Sequence, residues 1–107
     1  MTEVVLRKLG ITCKYVGYQQ IIQAIELAME NEERLHAVGE EIYKVIGMRN
    51  NRSRSSVERN IRTLVWVAWE CNKPFLDEIA GYKLIEPPTI SDFISIIYSY
   101  VKENKEK

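Results

Sequence analysis

Apolar residues recur in this chain at every third or fourth position over several separate stretches, and that period commits it to helices packed on one another. Tyr18, Ile21, Ile22, Ile25, Ala28 and Met29 form one stripe and predict a helix ending near Glu30. Leu35, Val38, Ile42, Val45 and Ile46 repeat the pattern after the polar break Asn31–Glu33 and predict a further helix, with Gly39 where a neighbouring element could approach closely. Before these, Val4, Val5, Leu6 and Leu9 ahead of Gly10 predict a short first helix with a glycine stop. Ile11–Gly17 then reads as a connector of extended character.

Asn50-Asn51-Arg52-Ser53 has no apolar residue and is rich in turn formers, so the chain is expected to bend there. A long helix follows to about Cys71, capped by Ser53 or by Ser55, the latter at capping-box spacing from Glu58. Pro74 suits the first turn of another helix carrying Phe75, Leu76 and Ile79, with Gly81 as its stop. Tyr82–Pro88 is a loop. Thr89 and Ser91 are alternative caps for a last helix with the stripe Ile90, Phe93, Ile94, Ile97, Tyr98 and Val101, ahead of a fraying charged tail at Glu103–Lys107. The expectation is an all-α fold of about six helices.

The helix after the bend has two unlike faces. With Val57 at 0° and about 100° per residue, Ile61, Leu64, Val65 and Ala68 fall between about −20° and 80°. Ser55, Arg59, Arg62 and Thr63 fall between about 140° and 240°. The first set predicts a core face and the second an exposed, basic one. Trp66, near 180° on the same scale, is out of place among the polar residues, and Trp69 lies on the flank.

At 107 residues, 46% hydrophobic and 28% charged, the chain fits a single domain, residues 1–107, and neither a disordered nor a fibrous protein. No apolar run approaches the roughly 18 residues a membrane span needs, and Met1–Gly10 carries Glu3, Arg7 and Lys8 where a signal peptide would be apolar. A soluble, cytoplasmic protein with no membrane association is expected. Cys13 and Cys71 form no CxxC pair and are expected to be reduced and structural.

Net charge is zero, but it is unevenly placed. Residues 1–48 hold five Lys/Arg against seven Asp/Glu, residues 49–62 five Arg against one Glu, and residues 63–107 five Lys against seven acids. Every arginine except Arg7 and Arg34 therefore lies within fourteen residues of an otherwise mildly acidic chain. Such a concentration is the electrostatic footprint of an anion-binding surface. It coincides with two amphipathic helices, about Arg34–Arg49 and about Ser53–Cys71, joined by a short polar turn: the helix-turn-helix arrangement. In that arrangement N–H groups and Ser or Arg side chains at the start of the second helix contact phosphates, while outward side chains on its first turns reach base edges in the major groove.

At this point the chain resembles a known family, the C-terminal DNA-binding domain of the stage-zero sporulation response regulator A of spore-forming Firmicutes. The resemblance rests on Gly17-Tyr18 with Ala24-Ile25, Ser55-x-Val57-Glu58-Arg59-x-Ile61-Arg62, Val67-Ala68-Trp69, Gly81-Tyr82 and Pro88-Thr89-x-Ser91-x-Phe93-Ile94, in order over roughly Val4 to Val101. It implies a six-helix domain whose helix-turn-helix binds promoter DNA, often as two copies side by side, and it carries base and phosphate contacts over to Ser55, Glu58, Arg59 and Arg62. With the flanking turn and first turns included, the candidate DNA-binding residues are Arg49, Asn51, Arg52, Ser53, Arg54, Ser55, Ser56, Glu58, Arg59, Arg62 and Thr63. The expected partners are double-stranded promoter DNA, a second copy of the chain on that DNA, and RNA polymerase. Two departures stand out. Ser56 occupies the position at which the family has a guanine-reading arginine, while Arg52 and Arg54 replace small or neutral residues. No phospho-acceptor receiver domain lies within these residues: if they are the whole protein, control by phosphorylation of the family's kind is absent, and otherwise the switch lies outside them.

Other chemistry finds little support. His36 has no second histidine and reads as a surface or capping residue. Cys71 sits at a helix C-terminus, where the dipole disfavours a thiolate. Glu32-Glu33 and Glu40-Glu41 fit a solvated face better than a catalytic acid pair, and Tyr98 and Tyr100 fit the core and rim of the last helix better than a base-stacking platform. No Gly-rich phosphate loop, nucleophile–base pairing or metal-ligand spacing is present, so neither an enzyme nor a bound metal or cofactor is expected. The alternative to a sequence-specific transcription regulator is a protein-interaction module of the same fold that modulates another regulator.

Overall fold

The structure, a computed structural model, describes residues 1–105, the side chain of Lys105 excepted. Five α-helices, α1 (Thr2–Lys8), α2 (Gly17–Glu30), α3 (Lys44–Arg49), α4 (Arg54–Ala80) and α5 (Ile90–Lys105), pack around one core, with no strand among the described residues. The sixth expected helix is the second half of α4. That helix leaves helical geometry at Asn72 (φ −156°, ψ 64°) and resumes immediately. Pro74 cannot donate to the carbonyl four residues back, and Asn72 Oδ1 accepts from Phe75 N at 3.2 Å, capping the second half. The same side chain donates to Lys8 O at 2.8 Å, which ties the bend to the end of α1.

The core is built by α2, α4 and α5, with Ile21, Ile25, Ile61, Leu64, Phe93 and Ile97 among its fully buried side chains. Gly10 (φ +86°) and Gly81 (φ +88°) end α1 and α4 in the left-handed conformation that glycine adopts freely. Thr89 is the cap of α5, its Oγ1 accepting from Asp92 N at 3.1 Å. Within the loop before it, Leu84 N donates to Asp77 Oδ1 and Lys73 pairs with Asp77 Oδ2. Together they hold the Asp77 carboxyl below its ordinary pKa.

Four details differ from the sequence reading. The buried face of α2 is Gly17, Gln20, Ile21, Ala24, Ile25, Leu27 and Ala28, so Tyr18, Ile22 and Met29 sit at its rim. The helix expected from Leu35 is interrupted: a 3-10 turn (Glu32–His36) ends at Ala37 (φ −146°, ψ 54°), and a π turn (Gly39–Tyr43) leads into α3. Asn31 Oδ1 accepts from Glu33 N, and Arg34 donates back to Leu27 O at 2.7 Å, fixing a tight local turn. Ile11–Gly17 is a series of turns with no extended strand. At the C-terminus α5 continues through Glu103 and Asn104 to Lys105. The expected frayed tail is therefore helical as far as the described residues go, and positions 106–107 lie outside them.

Candidate nucleic-acid interface

The π turn and α3 form the first arm of a helix-turn-helix, and the first half of α4 forms the second. The turn between them is tight because of two residues. Asn51 takes φ +56°, a conformation asparagine tolerates better than most residues, and Arg52 N donates to Gly47 O at 2.8 Å. Gly47, and not Gly39, marks the closest approach. A Cβ on Gly47 would lie 2.6 Å from Arg52 O, whereas one on Gly39 would meet only Arg54 Nη1 at 3.5 Å. Asn50 Nδ2 donates to Gln23 Oε1, fastening the turn to α2.

Ser53 is the cap of α4: it lies in extended conformation (ψ 156°) and its Oγ accepts from Ser56 N at 3.1 Å. From there Val57, Ile61, Leu64, Val65 and Ala68 enter the core, and the opposite face is left to solvent. Arg49, Asn51, Arg52, Ser53, Arg54, Ser55, Arg59, Arg62 and Thr63 are all exposed, and Ser56 and Glu58 are half-buried. The eleven candidate residues thus lie along the end of α3, the turn and the first three turns of α4.

The five arginines of this segment are not equivalent. Arg54 Nη1 pairs with Glu40 Oε1 at 2.8 Å, and Arg62 Nη2 with Glu58 Oε1 at 2.7 Å. Arg49, Arg52 and Arg59 make no ion pair among the described residues. Glu40 also accepts from Lys44 at 3.4 Å. The hydrogen bonds from Arg54 and then Lys44, with their positive charge, hold its carboxyl below the ordinary value. Behind the face, burial raises the Tyr43 hydroxyl to about 12, and the nearby Glu58 carboxylate adds to the shift.

A family model described as sporulation initiation factor Spo0A C terminal matches residues 2–101. The chain belongs to this family. Spo0A C-terminal domains are DNA-binding effector domains of transcription regulation in sporulation, and not an enzyme family. The membership accounts for the all-helical fold with its helix-turn-helix.

Three features of the Spo0A C-terminal fold here escaped the sequence reading. Glu40 was grouped with Glu41 on a solvated face, and its pairing with Arg54, fourteen residues away, has no local signal. Lys14, Tyr15, Val16, Gly17, Asn60 and Thr63 line a cavity of about 280 Å³ beside the outward face of α4. Trp66 is 52% exposed in line with Arg59 and Thr63, so its odd wheel position marked a real surface residue. Both cysteines are free and exposed, although Cys71 still packs under Gly10. Among the described residues no group of three or more His, Cys, Asp and Glu could hold a metal ion. Nor is any helix among the described residues long and apolar enough to cross a membrane.

Proposed function

We propose that this chain is a sequence-specific, promoter-binding regulator of transcription that lays the first half of α4 in the major groove. The observation that carries this reading is the two-sided α4. Val57, Ile61, Leu64 and Ala68 are fully buried, so the opposite face, with Arg59 outside any ion pair and with exposed Arg62 and Thr63, is turned to solvent. Arginine suits that position because its planar fork pairs with phosphate or with the O6/N7 edge of guanine.

In this reading Arg59, on the second turn, reads a base edge, and Ser55, Ser56, Glu58 and Thr63 border the same groove. Arg49, Asn51, Arg52, Ser53, Arg54 and Arg62 lie where backbone phosphates pass. Residues 1–107 act as one domain in the cytoplasm. One helix-turn-helix of this size covers a modest stretch of DNA, so two copies bind adjacent half-sites. Seated at a promoter, the pair is within reach of RNA polymerase, the expected target of an effector domain. No catalytic step, metal or cofactor enters this reading.

A mobility-shift titration on random and candidate promoter DNA at two salt concentrations tests it. A regulator that neutralises several phosphates loses affinity steeply as salt rises and prefers one sequence. Salt-insensitive or absent DNA binding would favour the interaction module instead. Strict 1:1 stoichiometry on the best natural site would rule out the paired arrangement.

A further inference from the structure

The Arg54 side chain at the start of α4 already has an anionic partner within the fold. Arg54 is the first residue of that helix, next to backbone N–H groups that have no intrahelical acceptor and carry the positive end of the helix dipole. A phosphate approaching the helix-turn-helix would be drawn to this point. Yet the Arg54 guanidinium lies over Gly39, where even a Cβ would be in contact at 3.5 Å, and donates to the Glu40 carboxylate at 2.8 Å. The other carboxylate oxygen faces Lys44 at 3.4 Å, so one acid engages two of the cations bordering the face.

Resting on the DNA-binding reading above, we propose that Glu40 is an internal counter-anion that withholds Arg54 from DNA phosphates and so sets how tightly the protein holds DNA irrespective of sequence. The pair is solvent-exposed, with side chains 48% and 63% accessible, and such pairs are weak. Phosphate therefore competes with Glu40 and is not blocked by it, and the effect is graded. Two contributions add. The Glu40 carboxylate repels phosphates lying within a Debye length, and Arg54 releases fewer condensed counterions than an unpaired arginine would. Because both act through the DNA backbone, they apply equally to random and preferred sequences.

The test compares wild type, Glu40→Gln, Glu41→Gln, Arg54→Ala and the double variant Glu40→Gln/Arg54→Ala in binding to random-sequence and preferred duplexes between 50 and 200 mM salt. Glu41 removes the same formal charge from the next position and has no ion-pair partner among the described residues. The expected result for Glu40→Gln is a gain of about three- to tenfold on both DNAs at low salt, with the salt slope steeper by about one unit. Glu41→Gln gains less with no change in slope, and in the Arg54→Ala background Glu40→Gln gains no more than Glu41→Gln does in wild type, the part due to repulsion alone. If wild type binds DNA and the two glutamine variants are indistinguishable, or if the double variant keeps the full gain relative to Arg54→Ala, Glu40 has no such role. If wild type and all variants fail to bind DNA, the DNA-binding reading itself falls and takes this inference with it.

Discussion

Gly17, the first residue of α2, lies so close to Asn60 that a Cβ on the glycine would stand 2.7 Å from the Asn60 carbonyl oxygen. Real Cβ atoms essentially never come that near an atom, so the spacing between α2 and α4 depends on the missing side chain. One turn further along α2, Asn60 Nδ2 donates to the buried Gln20 Oε1 at 3.2 Å and fixes the register of the contact. Gly17→Ala should therefore push the helices apart and cost about 1–3 kcal/mol, read from the midpoint of chemical unfolding. A midpoint equal to wild type would mean that the two helices can separate freely.

The assignment of faces on α4 is tested by Ile61, which is fully buried between Val57 and Leu64. Ile61→Ala leaves a cavity in the core and should cost about 2–5 kcal/mol. Arg59→Ala, on the opposite face, should leave the unfolding curve within about 0.5 kcal/mol of wild type.

For DNA, the unpaired arginines divide by position. Arg59→Ala should cost about 1–3 kcal/mol on the preferred site and relax sequence preference at one base pair. Arg49→Ala and Arg52→Ala should weaken binding to all sequences alike, each lowering the salt slope by about one unit. Arg62 is engaged by Glu58, so Arg62→Ala is expected to lower the slope by less. Equal weakening of specific and random DNA by Arg59→Ala would move that residue to the phosphate group.

Ser56 is half-buried in the first turn of α4, at the position where the resemblance implies a guanine-reading arginine. Ser56→Arg should raise affinity for the DNA box of the sporulation regulator family relative to random DNA, measured by competition titration. No gain would place the base-reading surface elsewhere on the helix.

Tyr43 supplies a pH test. Its hydroxyl is raised to about 12 by burial, against about 10 in an unfolded chain. Between those values the folded state holds a proton that the unfolded state has lost, so stability is fully present below pH of about 10 and declines as pH rises towards 12. Tyr43→Phe should flatten that decline in a pH series of unfolding midpoints. An unchanged slope would mean that other groups govern alkaline unfolding.

The two faces of the first half of α4, the stop of its second half at Gly81, the bend between α3 and α4 and the stripe of α5 were all legible in the sequence, because each depends on residues within a turn or two. The same locality explains what was missed. Whether Leu35 continues a helix is bound up with Arg34 reaching back seven residues to Leu27 O, a side-chain-to-backbone contact that hydrophobic periodicity does not register. Ser53 prevails over Ser55 as the cap because Asn51 and the Gly47–Arg52 contact set where the turn ends. At the candidate interface, local composition located the arginines. It could not say which are paired, since Glu40 reaches Arg54 across a turn whose geometry the sequence does not encode locally.

The break at Asn72 makes α4 two cooperative segments. A continuous helix of that length would propagate fraying from either end, whereas here the second half begins on its own cap and the first ends against α1. Local opening of the Leu76–Ala80 turns can then occur without unwinding the arginine-bearing turns, and amide hydrogen exchange along α4 should step in rate at Asn72 instead of grading smoothly. The end of α4 that packs before the loop to α5 can therefore loosen or tighten while the arginine-bearing half keeps its shape.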